Sequence, residues 1–187
     1  MKLAVDSWLT SIVGHKVIKV TSIDDGVPVA AQDQMREAAS GEKCLFFVKV
    51  PVAEVATVRD LSALGFYVVD VNITFEREPV ARTAVPAVDV SVCLAGPEHA
   101  AAVLDIAQSC FQFSRFHLDP GIETPLANAI KREWIASYIT KQRGEKLFVA
   151  LFNGRPVGFL AVLLAGGEGA PTGVIDLLGV TADCRKA

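Results

Sequence analysis

Between Gln108 and His117 the chain concentrates four groups able to do chemistry in a row: Ser114, Arg115, Phe116 and His117. A hydroxyl, a guanidinium, an aromatic ring and an imidazole between two helical stretches suit a loop that meets substrate. Arg115 can fork onto a phosphate, and Phe116 can stack on a base or sugar face. The same residues also allow a purely internal arrangement, with Arg115 paired to Asp119 or Glu123 and Phe116 in the core. An imidazole titrates near pH 6.5, so His117 suits a general base, although His15 and His99 offer the same chemistry. Ser114, His117 and Asp119 do not read as a hydrolase triad, because they crowd one short segment and no Gly-x-Ser-x-Gly elbow occurs. Gly166-Gly167-Glu168-Gly169 lacks the Gly-Lys-Ser/Thr ending of a phosphate loop and reads as a connection. Cys44, Cys93, Cys110 and Cys184 form no CxxC and have no histidine at zinc-ligand spacing, so they read as reduced, mostly buried thiols, with no metal expected.

The elements that must carry these groups follow from periodicity. Lys16 to Ile23 alternates as a strand, and Val29 to Ala39 favours a helix that stops near Gly41. Cys44 to Val50 is an apolar run ended by Pro51, Val52 to Leu64 reads as a helix stopped by Gly65, and Phe66 to Phe75 reads as a strand. Polar residues with Pro79 and Pro86 then mark a linker from Glu76 to Pro86, dividing the chain into modules over 1–78 and 87–187. In the second module Val88 to Leu94 alternates, and Gly96-Pro97-Glu98 opens a helix running to about Cys110. Pro125 to Tyr138 is helical, with Ile130, Trp134, Ile135 and Tyr138 inward and Lys131, Arg132 and Glu133 outward. Asn153-Gly154 between the runs Leu147 to Phe152 and Val157 to Leu164 predicts a hairpin, and Val174 to Val180 a last strand after a glycine-rich loop. The fold class is therefore α/β of the α+β type: a small α/β domain, then a domain with a mainly antiparallel mixed sheet.

Composition narrows the function classes. The chain has 187 residues, 51% hydrophobic and 21% charged, enough apolar content for a sizeable core. A net charge of -3 does not supply the basic field that nucleic acid needs. The most apolar stretch, Pro156 to Ala165, is shorter than the ~20 residues of a spanning helix. Met1 to Trp8 carries Asp6 and lacks the features of a signal peptide, so a cytoplasmic location is expected.

The order strand, helix, helix, hairpin, strand, with Leu178-Gly179-Val180 followed by Thr181 to Ala187, resembles the GNAT acyl-CoA N-acetyltransferases. Their signature is a strand ending in Val, a short loop, then Arg or Gln, two residues, Gly, one residue, and Gly or Ala; Val180 and Arg185 match its first part. Gln108 to His117, Glu133-Trp134-Ile135 and Leu64-Gly65-Phe66 are similar to the branch that acetylates TDP-fucosamine, dTDP-4-amino-4,6-dideoxygalactose. The resemblance implies acetyl-CoA as co-substrate and the amino group of a nucleotide-linked sugar, or another amine, as acceptor. It implies cofactor contacts at Leu178, Gly179, Val180, Arg185, Lys186 and Ala187, the pyrophosphate resting on backbone amides at a helix start. It implies substrate contacts at Ser114, Arg115, Phe116 and His117. A tyrosine acid belongs to the family, but neither Tyr67 nor Tyr138 stands at its late position, so no catalytic residue is assigned. The first signature glycine would follow Ala187; the expectation is an incomplete domain, inactive by itself and prone to self-association. The alternative is a catalytically inactive GNAT-like binding or assembly module that uses an unpaired strand edge.

Overall fold

The computed structural model describes residues 1–24, 26–78, 89–144, 146–166 and 172–185. The chain divides into two compact units, Met1–Val71 and Asn72–Ala187. Most of the expected linker, from residue 79 on, lies outside the described residues.

The first unit is built from β1 (Lys2–Val5), α1 (Ser7–Val13), β2 (Lys16–Ser22), α2 (Ala31–Ala39), β3 (Cys44–Val48) and α3 (Val55–Ala63). Its sheet has the order β1-β2-β3, with β1 antiparallel and β3 parallel to β2. The parallel pair needs a crossover, which α2 supplies. Sequence reading missed β1 and α1. Asp6 caps α1, its Oδ1 accepting from the Leu9 N–H at 2.9 Å, and Gly14 ends the helix at φ 78°. Leu9 and Val13 then pack with Val17, Ile18 and Val20 in the core.

The strand expected over Phe66 to Phe75 does not form. Gly65 at φ 93° turns the chain, and the Phe66 N–H closes on the Leu61 carbonyl at 3.1 Å. Beyond it Val68, Val71, Ile73 and Phe75 are exposed in irregular backbone. Their β-propensity is real, but a strand exists only where a neighbouring edge takes up its backbone groups.

The second unit contains β4 (Val90–Leu94), α4 (Ala100–Ser109), α5 (Arg115–Leu118), α6 (Thr124–Ile139), β5 (Lys146–Phe152), β6 (Arg155–Ala165) and β7 (Thr172–Val180). All pairings in the sheet β4-β5-β6-β7 are antiparallel. At the β5–β6 hairpin Asn153 and Gly154 both take positive φ, 50° and 76°, as a two-residue turn matched to strand twist requires. Before α4, the Gly96 N–H donates to His99 Nδ1 at 3.0 Å and closes the first turn. The core lies between one sheet face and the helices, where Val103, Ile106 and Ala107 of α4 and Ile135 and Tyr138 of α6 meet Leu147, Val149, Phe159, Ala161 and Leu177.

One residue of α6 departs from expectation. Lys131 is buried, not outward. It lies four residues after Ala127 and three and seven before Trp134 and Tyr138, a spacing that places it on the helix's inner stripe whatever its charge.

Candidate functional site

The stretch read as a substrate loop folds into a single helical turn, α5. Ser114 stands just before it in extended conformation, and its carbonyl accepts from the N–H groups of His117 and Leu118 at 2.8 and 3.0 Å. This curls the His117 ring back onto its own cap: Nδ1 lies 2.7 Å from Ser114 Oγ, while Nε2 lies 2.9 Å from Asn128 Oδ1 on α6. An amide oxygen can only accept, so this arrangement puts the ring proton on Nε2 and leaves Nδ1 to accept from the Ser114 hydroxyl. The result is a Ser114–His117–Asn128 chain able to pass a proton from the hydroxyl to the imidazole.

The two neighbours behave differently. Phe116 is buried and packs edge-on to Trp134, ring centroids 6.5 Å apart, so its ring belongs to the core. Arg115 lies over the Phe116 ring, its guanidinium carbon 4.6 Å from the centroid. The ring the segment offers to solvent is Phe113, 81% exposed. Sequence reading named Phe116 for stacking because it could not tell which phenylalanine precedes the turn and which lies within it.

Lys131 and Asp176 also escaped the sequence. The Lys131 ammonium sits 4.8 Å from the Phe111 centroid, 5.1 Å from Trp134 and 5.6 Å from Phe116. Three ring faces attract a cation by about 0.5 to 2 kcal/mol each at most, which offsets part of the cost of burying it. Asp176 is the extra residue of a bulge: Ala161 pairs with Leu177 and Val162 with Ile175. A bulge re-aims a side chain, and here the carboxylate is turned into a cluster of donors. Oδ2 accepts from Trp134 Nε1 at 2.8 Å, from the Tyr138 hydroxyl at 2.7 Å and from Arg143 Nε at 2.6 Å, while Oδ1 accepts from Arg143 Nη2 at 3.1 Å. Burial by itself would raise the carboxyl pKa, but the bonds from Arg143, Trp134 and Tyr138 outweigh it and hold Asp176 below the usual carboxylate range. The Tyr138 phenol is pushed well up, by burial first and then by its bond to Asp176. A carboxylate holding four hydrogen bonds is a poor proton acceptor. Asp176 is a structural hub that fixes Trp134 against β7.

At the end of β7, Leu178 is exposed, Gly179 buried and Val180 half-buried. Gly179 is required by space: a Cβ there would lie 2.6 Å from Phe159 and 2.7 Å from the Cys110 sulfur. Arg185 folds back onto the strand end, its Nε donating to the Val180 carbonyl at 3.0 Å and its Nη2 to the Cys110 carbonyl. Cys110 closes α4 and precedes the Ser114 segment by four residues, so the strand end packs at the C-terminus of α4. Burial pushes the Cys110 thiol up, partly opposed by the Arg185 charge. Lys186 and Ala187 lie outside the described residues.

A scan against protein-family models matches none, and a search of curated proteins returns no match. The residues carry the functional argument alone.

Other chemistry is sparser. Among the described residues no group of three or more His, Cys, Asp or Glu side chains could hold a metal ion, and no helix is long and apolar enough to cross a membrane. All four cysteines are free. Only Cys110 is buried, whereas Cys93 is exposed and Cys44 and Cys184 are half-buried, which corrects the expectation of mostly buried thiols. Cys93 sits on a strand whose residues are all exposed, so alternation there hides no side chain. In the first unit a shallow cleft at the C-terminal ends of β2 and β3 includes Asp24, Lys49 and Glu54. Glu54 is taken up by Thr57, whose hydroxyl donates to it at 3.3 Å.

Proposed function

We propose that the second unit belongs to a GNAT-type acetyltransferase, which takes acetyl-CoA along the end of β7 and transfers the acetyl group to the amine of a nucleotide-linked sugar. The observation that carries this reading is the antiparallel run β4-β5-β6-β7, with α4, α5 and α6 between its first two strands and β7 beside β6. That is the order the resemblance requires, and Gly179 and Arg185 at the end of β7 meet Cys110, four residues before Ser114 in the chain.

In this reading Arg115 meets the nucleotide phosphates and exposed Phe113, in place of buried Phe116, stacks on the base or sugar. The amine must be neutral to attack the thioester carbonyl. Ser114 accepts its proton while passing its own to His117 Nδ1, and Asn128 holds the imidazole in the accepting tautomer. The new C–N bond forms as the C–S bond breaks, and the coenzyme leaves as thiolate. Coenzyme release from acetyl-CoA in the presence of dTDP-4-amino-4,6-dideoxygalactose, by a form of the protein that carries the whole acetyl-CoA signature, with mass spectrometry of the N-acetylated product, tests this. Release no faster than hydrolysis without the sugar nucleotide would overturn it.

A further inference from the structure

The serine at the start of the α5 turn carries a reactivity that amine acetylation does not use. Its hydroxyl lies 2.7 Å from His117 Nδ1, and His117 Nε2 lies 2.9 Å from Asn128 Oδ1, so the hydroxyl faces a basic nitrogen whose tautomer a second helix holds. Other serines of the unit are placed differently. The hydroxyls of Ser109 and Ser137 donate to the Asp105 and Trp134 carbonyls of their own helices, at 2.7 and 2.6 Å, and a peptide carbonyl cannot take up a proton. Ser114 is half-buried, so it is not sealed in the core.

A nucleophile, a base and an orienting third group, each within hydrogen-bond reach of the next, form the arrangement that activates a serine. Asp119, the carboxylate that the sequence sets beside Ser114 and His117, is not the third member: its Oδ1 accepts from the Gly121 N–H at 2.8 Å. Asn128 takes that place from α6, eleven residues beyond His117. Such constellations are recognised by roles and geometry, and an asparagine in the third position occurs with cysteine nucleophiles.

We propose that Ser114 is a nucleophile toward activated acyl esters and thioesters, which it hydrolyses through an acyl-serine. The Ser114 O–H bond breaks, its proton passes to His117 Nδ1, and Oγ bonds to the acyl carbon as the C–S or C–O bond of the substrate breaks. The departing thiolate or aryloxide takes up that proton. Water then attacks the acyl-serine and gives a proton to Nδ1, which returns it to Ser114 Oγ as the carboxylic acid leaves. The sum is ester plus water giving acid plus thiol or alcohol. Asn128 sets the limit of this chemistry: being uncharged, it fixes the ring without stabilising the imidazolium that forms, as a carboxylate would, so Ser114 is a modest nucleophile. Thioesters and aryl esters, which expel good leaving groups, react, and amides do not. Neither acetyl-CoA nor an amine takes part, so this reactivity does not rest on the acetyltransferase reading, although both use Ser114 and His117.

Treating the full chain with a fluorophosphonate and locating the adduct by peptide mass spectrometry tests this on the parent protein, with no variant that could misfold. The expected result is phosphorus on Ser114 Oγ with fluoride lost. Release of nitrophenolate from p-nitrophenyl acetate should exceed that in buffer, and Ser114→Ala should abolish both reactions while its far-ultraviolet circular dichroism matches the parent. His117→Gln should slow them about a hundredfold or more. Asn128 is a positioning residue: Asn128→Ala should slow acylation about tenfold or more, and Asn128→Asp, which keeps the acceptor, should restore it. No adduct on Ser114 in the folded parent, or undiminished release by Ser114→Ala, would overturn the proposal. An acetyl group found on His117 would overturn it too, by making the imidazole the nucleophile. Labelling of Ser114 in a protein that transfers no acetyl group to the sugar nucleotide would uphold it and reject the transferase reading alone.

Discussion

Asp176→Ala removes the acceptor shared by Trp134, Tyr138 and Arg143, and the structure sets the size of the loss. Its side chain is 11% exposed, so the three donors facing it are left largely without water to replace it. Bonds to a charged group contribute about 1.5 to 3 kcal/mol each, and leaving a buried donor unmade costs about 1 to 3 kcal/mol. The Arg143 contribution is smaller, because its side chain is 37% exposed and solvent can take it up; about 1 kcal/mol or less is appropriate. With Trp134 and Tyr138 each losing about 1 to 1.5 kcal/mol, the expected destabilisation is about 3 kcal/mol. Asp176→Asn keeps the shape and one acceptor, so it should cost about half as much. Urea unfolding followed by tryptophan fluorescence and by circular dichroism measures both. A double-mutant cycle with Tyr138→Phe should show coupling above about 0.5 kcal/mol, the limit of ordinary additivity. The pH dependence has a definite sign. Since the folded carboxyl pKa lies below its unfolded value, the stabilisation is complete above the ordinary carboxylate range and is lost as pH falls through the folded pKa. The parent should therefore approach the Asp176→Asn variant in stability as the medium is acidified. An Asp176→Ala loss under about 1 kcal/mol, or strict additivity with Tyr138→Phe, would refute the account of the bulge.

Gly179→Ala forces a methyl against Phe159 and the Cys110 sulfur and should destabilise by about 1 to 3 kcal/mol, measured by the same unfolding curves. Long-range proton–nitrogen correlation spectra should show His117 with its proton on Nε2, and Asn128→Ala should release that preference; a proton fixed on Nδ1 in the parent would contradict the proton chain. Phe113→Ala should leave stability within about 0.5 kcal/mol and raise the KM for the sugar nucleotide, whereas Phe116→Ala should cost about 3 to 5 kcal/mol in folding. The reverse pattern would return the stacking role to Phe116.

What could be read in advance divides along a physical line. The β5–β6 hairpin was legible because Asn-Gly supplies the two positive φ values that the turn demands, a local property. The entry into α4 was legible at Pro97, which opens the 3-10 turn Pro97–His99 just before the helix, again a local property. α1 carried readable signals as well, Asp6 as cap and Gly14 as stop, but only Met1 to Trp8 was considered there, and only as a targeting segment. Phe66 to Phe75 has strand composition and no strand, because pairing is a property of two segments and propensity of one. Lys131 misled because charge was taken for exposure although its spacing matched the buried stripe. Asp176 could not be found at all: a bulge exists only once β7 is laid against β6, and the three donors come from 33 to 42 residues earlier in the chain. The Ser114–His117 pair was visible as a cluster, while its third member, Asn128, depended on how α5 meets α6.

The acetyltransferase reading stands or falls most directly on where acetyl-CoA touches the chain. Titrating acetyl-CoA into a nitrogen-15-labelled form of the protein that carries the whole acetyl-CoA signature, with amide shifts followed residue by residue, answers this without a known acceptor. The account predicts saturable shifts at Leu178, Gly179, Val180 and Arg185 and at the adjoining Cys110, with the first unit unmoved. Shifts confined to the first unit, or none along β7 at saturating acetyl-CoA, would contradict it.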